Sequence, residues 1–71
     1  MGAKLYTVKE VSKIIHSNTN YVYKLIRQGF LPAMKLGSVK VREEALERFL
    51  SEVEGKDLTD LSAVKDLSID E

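Results

Sequence analysis

The stretch that decides the fold is Asn18-Thr19-Asn20-Tyr21-Val22-Tyr23-Lys24-Leu25-Ile26-Arg27-Gln28-Gly29-Phe30-Leu31-Pro32. Val22, Leu25 and Ile26 recur at helical spacing, so they mark the buried side of a helix running from about Asn18 to Gln28. Asn18 (or Ser17) suits the N-cap, where a short polar side chain satisfies an amide of the first turn. Gly29 stands where a left-handed residue closes a helix at little cost, and Pro32 prevents continuation. With the apolar side committed to a core, geometry sets the outer face. Asn20, Tyr23, Lys24 and Arg27 follow one another at i, i+3, i+4 and i+7 and form one exposed stripe, bordered by Thr19.

Upstream, Thr7-Val8-Lys9-Glu10 has the form of a capping box, with Tyr6 and Val11 placed to staple the helix entry. Val8, Val11, Ile14 and Ile15 make an apolar stripe that stops near His16, and His16-Ser17-Asn18 is a short polar break. Two short helices joined by such a break have the outline of a helix-turn-helix. Downstream, residues 33–41 read as a β-hairpin turning on Gly37-Ser38, with glycine at the first central position. In that register Met34, Leu36, Val39 and Val41 pack inward, while Lys35 and Lys40 face outward together. A hairpin alone is marginal, so it must lean on the helices. A third helix starts near Arg42 or Glu43 and reaches about Val53, with Ala45, Leu46, Phe49, Leu50 and Val53 on its apolar face. Glu43, Glu44 and Glu47 are polar, and the acids at its start favour the helix dipole. Gly55 ends it.

Residues 1–54 therefore read as one mostly α domain: two helices, a short hairpin wing and a third helix. Residues 55–71 carry a net charge of −3 with Leu58, Leu61, Val64 and Leu67 every three residues, and read as a disordered tail or one weak helix.

A chain of 71 residues allows one compact domain with a thin core and little room for an enclosed active site. Cysteine is absent, which excludes disulfides and thiolate metal sites and suits a reducing cytosol. No apolar run is long enough for a membrane span, and Met1 to Glu10 lacks the apolar stretch of a secretory signal, so a cytoplasmic protein is expected. His16 is the sole histidine, no glycine-rich phosphate loop appears, and nothing orients Ser17 and His16 as nucleophile and base. Neither an enzyme nor a metal or other cofactor is expected.

The net charge is zero, but it is not evenly spread. Met1 to Arg42 holds eight cations against Glu10 alone, giving +7; Glu43 to Glu71 holds three cations against ten acids, giving −7. Phosphate binding draws on local positive potential, which the first half supplies. On the outer stripe, Asn can pair with adenine, Lys or Arg with guanine or phosphate, and the Thr methyl can touch thymine. Such a stripe also suits an ordinary solvated helix face, and the hairpin lysines an ordinary protected edge strand.

Tyr6-Thr7-Val8-Lys9-Glu10-Val11, Val22 to Ala33, Lys35-Leu36-Gly37 and Glu44 to Leu50 together resemble the excisionase-type helix-turn-helix domains. These are small winged-helix proteins related to the DNA-binding domain of MerR-type regulators. The resemblance runs in order over about residues 5 to 52. It implies binding of double-stranded DNA by the second helix and the wing. It also implies a role as a recombination directionality factor or a small transcription regulator of a phage or mobile element, with cooperative side-by-side binding in several members. Thr19, Asn20, Tyr23, Lys24 and Arg27 take the recognition-helix roles, and Gly37 to Lys40 takes the wing role. The expected DNA-contacting set is thus Thr19, Asn20, Tyr23, Lys24, Arg27, Lys35, Ser38, Lys40 and Arg42. The family usually has glycine near His16, a basic pair near Thr19 and Asn20, and a longer wing turn richer in arginine. These departures imply modest affinity for a single protomer. The alternative is a protein-interaction adaptor that holds a recombinase or other partner through its acidic third helix and tail.

Overall fold

A computed structural model describes residues 4–68. The chain runs β1 (Leu5–Thr7), α1 (Val8–Ile14), α2 (Thr19–Arg27), β2 (Met34–Leu36), β3 (Ser38–Arg42), α3 (Glu43–Glu52), β4 (Lys56–Asp57) and β5 (Lys65–Asp66). This is a small winged helix-turn-helix.

Local chemistry explains both helices of the motif. Thr7 caps α1 through the full capping box: the Glu10 amide donates to Thr7 Oγ1 (3.1 Å) and the Thr7 amide to Glu10 Oε1 (2.9 Å). Asn18 caps α2 by accepting from the Tyr21 amide at 2.9 Å. Both helices then end in the same way. Ser17 donates to the Ser12 carbonyl and His16 to that of Lys13; Phe30 donates to Leu25 and Gly29 to Ile26. These are paired Schellman closures, each needing a left-handed residue just past the cap. Gly29 fills that place at φ 83°, and His16 fills it at φ 56°, where a side chain costs energy.

The core joins all three helices and the sheet: Val8, Val11, Val22, Leu25, Leu31, Val41, Leu46 and Phe49 are buried. Most of these sit on the apolar faces expected from spacing. Ile14 (41% exposed) and Leu50 (38%) do not join them. Each lies at the edge of its apolar stripe, turned toward solvent. Leu31 was not expected, since it follows the end of α2. The closure at Gly29 folds the chain back, bonds the Leu31 amide to the Leu25 carbonyl at 3.3 Å, and places the side chain in the core.

The wing differs from the expected hairpin in two respects. First, it is three-stranded, in the order β1-β3-β2, because β1 pairs antiparallel with β3 (Leu5 with Arg42, Tyr6 with Val41, Thr7 with Lys40). The residues before α1 thus supply the third strand that an isolated hairpin lacks. Second, β2 pairs with β3 one residue out of the expected register: Met34 with Lys40, Lys35 with Val39, Leu36 with Ser38. The chain reverses around Gly37 at φ 78°, not through a two-residue Gly37-Ser38 turn. Side chains alternate with period two, so this slip turns β2 over relative to β3. Lys35 falls on the Val39 side of the sheet and Lys40 on the Leu36 side, so the two lysines do not face outward together. Leu36, expected inside, is 59% exposed.

Beyond Gly55 the chain forms a strand pair where a disordered tail or weak helix was expected. Lys56 pairs with Asp66 and Asp57 with Lys65. The Leu67 amide donates to the Gly55 carbonyl at 2.8 Å, and Lys56 Nζ meets Asp66 Oδ1 at 2.6 Å. Asp57 and Asp60 shape the connection by accepting from the Thr59 and Ser62 amides at 2.9 and 3.0 Å. Leu58 and Leu61 pack against the core, and the Tyr21 hydroxyl donates to the Leu58 carbonyl at 2.7 Å. The leucine spacing therefore serves docking and not a helix. Residues 69–71 lie outside the described chain.

Candidate nucleic-acid interface

The surface of interest starts from α2, because burying Val22 and Leu25 forces its other residues outward. Thr19, Asn20, Tyr23, Lys24 and Arg27 are all exposed. Along the stripe, the Arg27 guanidinium lies 6.0 Å from the Tyr23 ring centroid, at the outer limit of a cation–π contact. Lys24 and Arg27 occupy the last turn, where positive charge is favoured by the helix dipole. Asn18 holds the first turn by its side chain, so Thr19 and Asn20 are free to project.

The wing meets this helix at its N-terminal end. Thr19 and Tyr23 share a shallow depression with Ser38 and Val39 of β3 and with Thr7, Val8 and Lys9 at the start of α1. Tyr6 anchors the wing on its other side: half-buried against the core, it donates from its hydroxyl to Glu43 Oε2 at 3.0 Å, tying β1 to α3. Lys40 is half-buried, pairs across from both Thr7 and Met34, and donates from Nζ to Ser38 Oγ. Arg42 is exposed at the base of the wing and lies 3.7 Å from Glu44, an open ion pair of the kind that adds little stability. Lys35 is exposed on edge strand β2.

The nine sequence-expected residues thus divide. Thr19, Tyr23 and Ser38 converge on one depression, and Asn20, Lys24 and Arg27 extend it along α2. Lys40 and Arg42 lie on one side of the sheet, and Lys35 on the other. Lys9 was missed. Its position in α1 made it look like scaffold, and only the approach of β3 to the start of α1 places it beside Thr19 and Tyr23.

A second cleft opens on the other flank of α2. Tyr21, Lys24, Arg27 and Gln28 form one wall; Thr59, Asp60, Leu61 and Ser62 form the other. Burial, reinforced by the Asp57 carboxylate, raises the Tyr21 hydroxyl above its ordinary pKa of 10.0. The bonds from Thr59 and Ser62 hold Asp57 and Asp60 below the ordinary value of 3.8, with Lys65 adding attraction to each. The Thr7 backbone amide and then its hydroxyl lower Glu10 from 4.5 in the same way. Among the described residues, no group of three or more His, Cys, Asp or Glu side chains is arranged to hold a metal ion, and no helix is long and apolar enough to cross a membrane.

A capped helix pair, an outward-facing polar and basic stripe, and a three-stranded wing beside it define a DNA-binding protein of the winged helix-turn-helix class. The chain belongs to the excisionase-type helix-turn-helix domain family, whose model matches residues 5–53. It has no match among curated proteins or among solved structures.

Proposed function

We propose that this protein reads DNA with α2 in the major groove, while the wing touches the adjacent backbone or minor groove, and that it serves recombination directionality or transcription control in a phage or mobile element. The observation that carries the reading is the convergence of Thr19 and Tyr23 with Ser38 and Lys9 in one depression, continued by Asn20, Lys24 and Arg27. A helix with its side chains is about 10–12 Å across and fits a major groove about 12 Å wide. Asn20 is the base reader of the set and Lys24 and Arg27 donate to guanine or phosphate, while Lys40 and Arg42 follow the backbone. No member of the set requires a cofactor, and the cysteine-free composition fits a cytoplasmic setting. The wing carries only a single-residue apex at Gly37, so one protomer has few backbone contacts. Tight binding then comes from protomers arranged side by side, or from a recombinase bound next to them.

Titration of a labelled duplex at two salt concentrations tests this. Binding that rests on about four to six phosphate contacts falls steeply with salt. Absence of duplex binding even at low salt rules the reading out. Footprinting on DNA flanking the native gene then separates the two roles: adjacent repeats point to cooperative excision complexes, a single palindrome to a dimeric regulator.

A second reading, an adaptor holding a recombinase or another protein, draws on α3. Leu50 is exposed there beside Glu47 and Ser51, on the most acidic helix of the chain. Failure of duplex binding together with capture of a recombinase would select it.

A further inference from the structure

The cleft between α2 and the C-terminal strand pair bears directly on DNA access. Tyr21, Lys24 and Gln28 lie at i, i+3 and i+7, so they form one flank of α2, next to the outer stripe. The loop from Thr59 to Ser62 stands against this flank and shares the cleft with Lys24 and Arg27. Two contacts hold it there: Tyr21 donates to the Leu58 carbonyl at 2.7 Å, and Leu58 and Leu61 pack on the core. A helix about 10–12 Å across nearly fills a major groove about 12 Å wide. A backbone strand therefore passes close along each flank of an inserted helix, with no clearance for a further peptide segment on the same side. The segment standing there is also acidic at that point. Asp60 faces the cleft, and Asp57 lies close enough to Tyr21 to influence its hydroxyl.

We infer that the C-terminal strand pair is an autoinhibitory element, occupying one flank of α2 where a DNA strand must pass and presenting Asp60 to the place of its phosphates. The inference rests on the reading of α2 as the DNA-binding helix. The element is held by one hydroxyl bond and two leucines, so it is displaceable. Lys65 lies near both aspartates and offsets part of their charge, which keeps the inhibition moderate. Such a device suits a protein that binds in arrays or with a partner, because neighbours that displace the strand pair release the helix for DNA.

The test compares the full chain with three variants on a labelled mixed-sequence duplex at low salt. Asp57→Asn with Asp60→Asn removes the charge and keeps an acceptor for the Thr59 and Ser62 amides. Tyr21→Phe keeps the ring and removes the bond to Leu58. Glu47→Gln with Glu52→Gln removes the same number of charges from exposed positions on α3. The first two variants are expected to bind about three- to tenfold more tightly, and the α3 control by less than about twofold. Hydrogen exchange at the Lys56 and Leu67 amides, whose bonds hold the base of the strand pair, should accelerate in the full chain when duplex is added. Equal tightening by the α3 control, unchanged or weaker binding by the first two variants, or exchange unaffected by duplex overturns the inference while leaving the DNA reading intact. No binding by any form overturns the DNA reading itself.

Discussion

α2 and the C-terminal strand pair lie side by side, yet they are specified in opposite ways. The helix carries its own instructions: Asn18 begins it, Val22 and Leu25 orient it, and Gly29 ends it. The strand pair has two residues in each strand, and apart from its Asp57 and Asp60 turns it depends on α2 and the core for its place. Local capping thus fixes the element that reads, and non-local docking fixes the element beside it. An element held by docking alone is the easier one to move.

The largest effect that tests this contrast comes from the shared foundation. Leu25→Ala removes a fully buried side chain from the centre of α2 and should cost about 2–5 kcal/mol, seen as a lower urea midpoint, with helix and strand pair lost in one transition. Separate transitions would break the picture of a common core. Next is the outer stripe of α2. Arg27→Ala or Lys24→Ala should weaken duplex binding by about 1–3 kcal/mol each with thermal stability nearly unchanged, and Asn20→Ala should relax sequence preference more than non-specific affinity. Parental binding by all three, with the fold intact, would show that α2 presents a solvated face only.

A smaller effect isolates the docking. Tyr21→Phe removes the 2.7 Å bond to the Leu58 carbonyl and should lower stability by about 1 kcal/mol, with faster amide exchange confined to the strand pair. Accelerated exchange throughout α2 would mean that the two regions are not independently specified. Smaller still is the contrast between the two Schellman closures. His16→Gly should raise stability by about 0.5–1 kcal/mol, because glycine takes up φ 56° without the side-chain penalty, whereas Gly29→Ala should lower it by a similar amount. The smallest effect is that of acid. Glu10, Asp57, Asp60 and Asp66 all titrate below their ordinary values, so their stabilising bonds are complete above those values and are lost as pH falls through the lowered ones. Melting temperature should stay level from about pH 8 to 5 and decline only below that range, with acid acting on the strand pair through three of the four groups and on α1 through Glu10 alone.

The sequence made some of this legible and hid the rest for identifiable reasons. The capping box at Thr7, the Asn18 cap, the Gly29 stop and the outer stripe of α2 all follow from residues within one or two turns of each other, and each appears as read. The wing was legible as two strands and a turn but not in register, because Gly37 permits more than one reversal and a single-residue slip interchanges the faces of β2. β1 was hidden because three residues leading into a capping box carry no strand period of their own. The leucines at 58 and 61 fit a helical spacing equally well as they fit a docked loop.

By itself, then, the sequence determined the helices of the motif, their caps, the face that looks outward and the separation of charge, since helix formation and capping are short-range chemistry. Tertiary structure alone decided which strands pair and in what register, that Leu31 completes the core, that Lys9 joins Thr19 and Tyr23, and that the acidic end of the chain lies against the basic helix. Those outcomes depend on which surfaces remain to be buried after the helices form, and burial is settled between segments far apart in the chain.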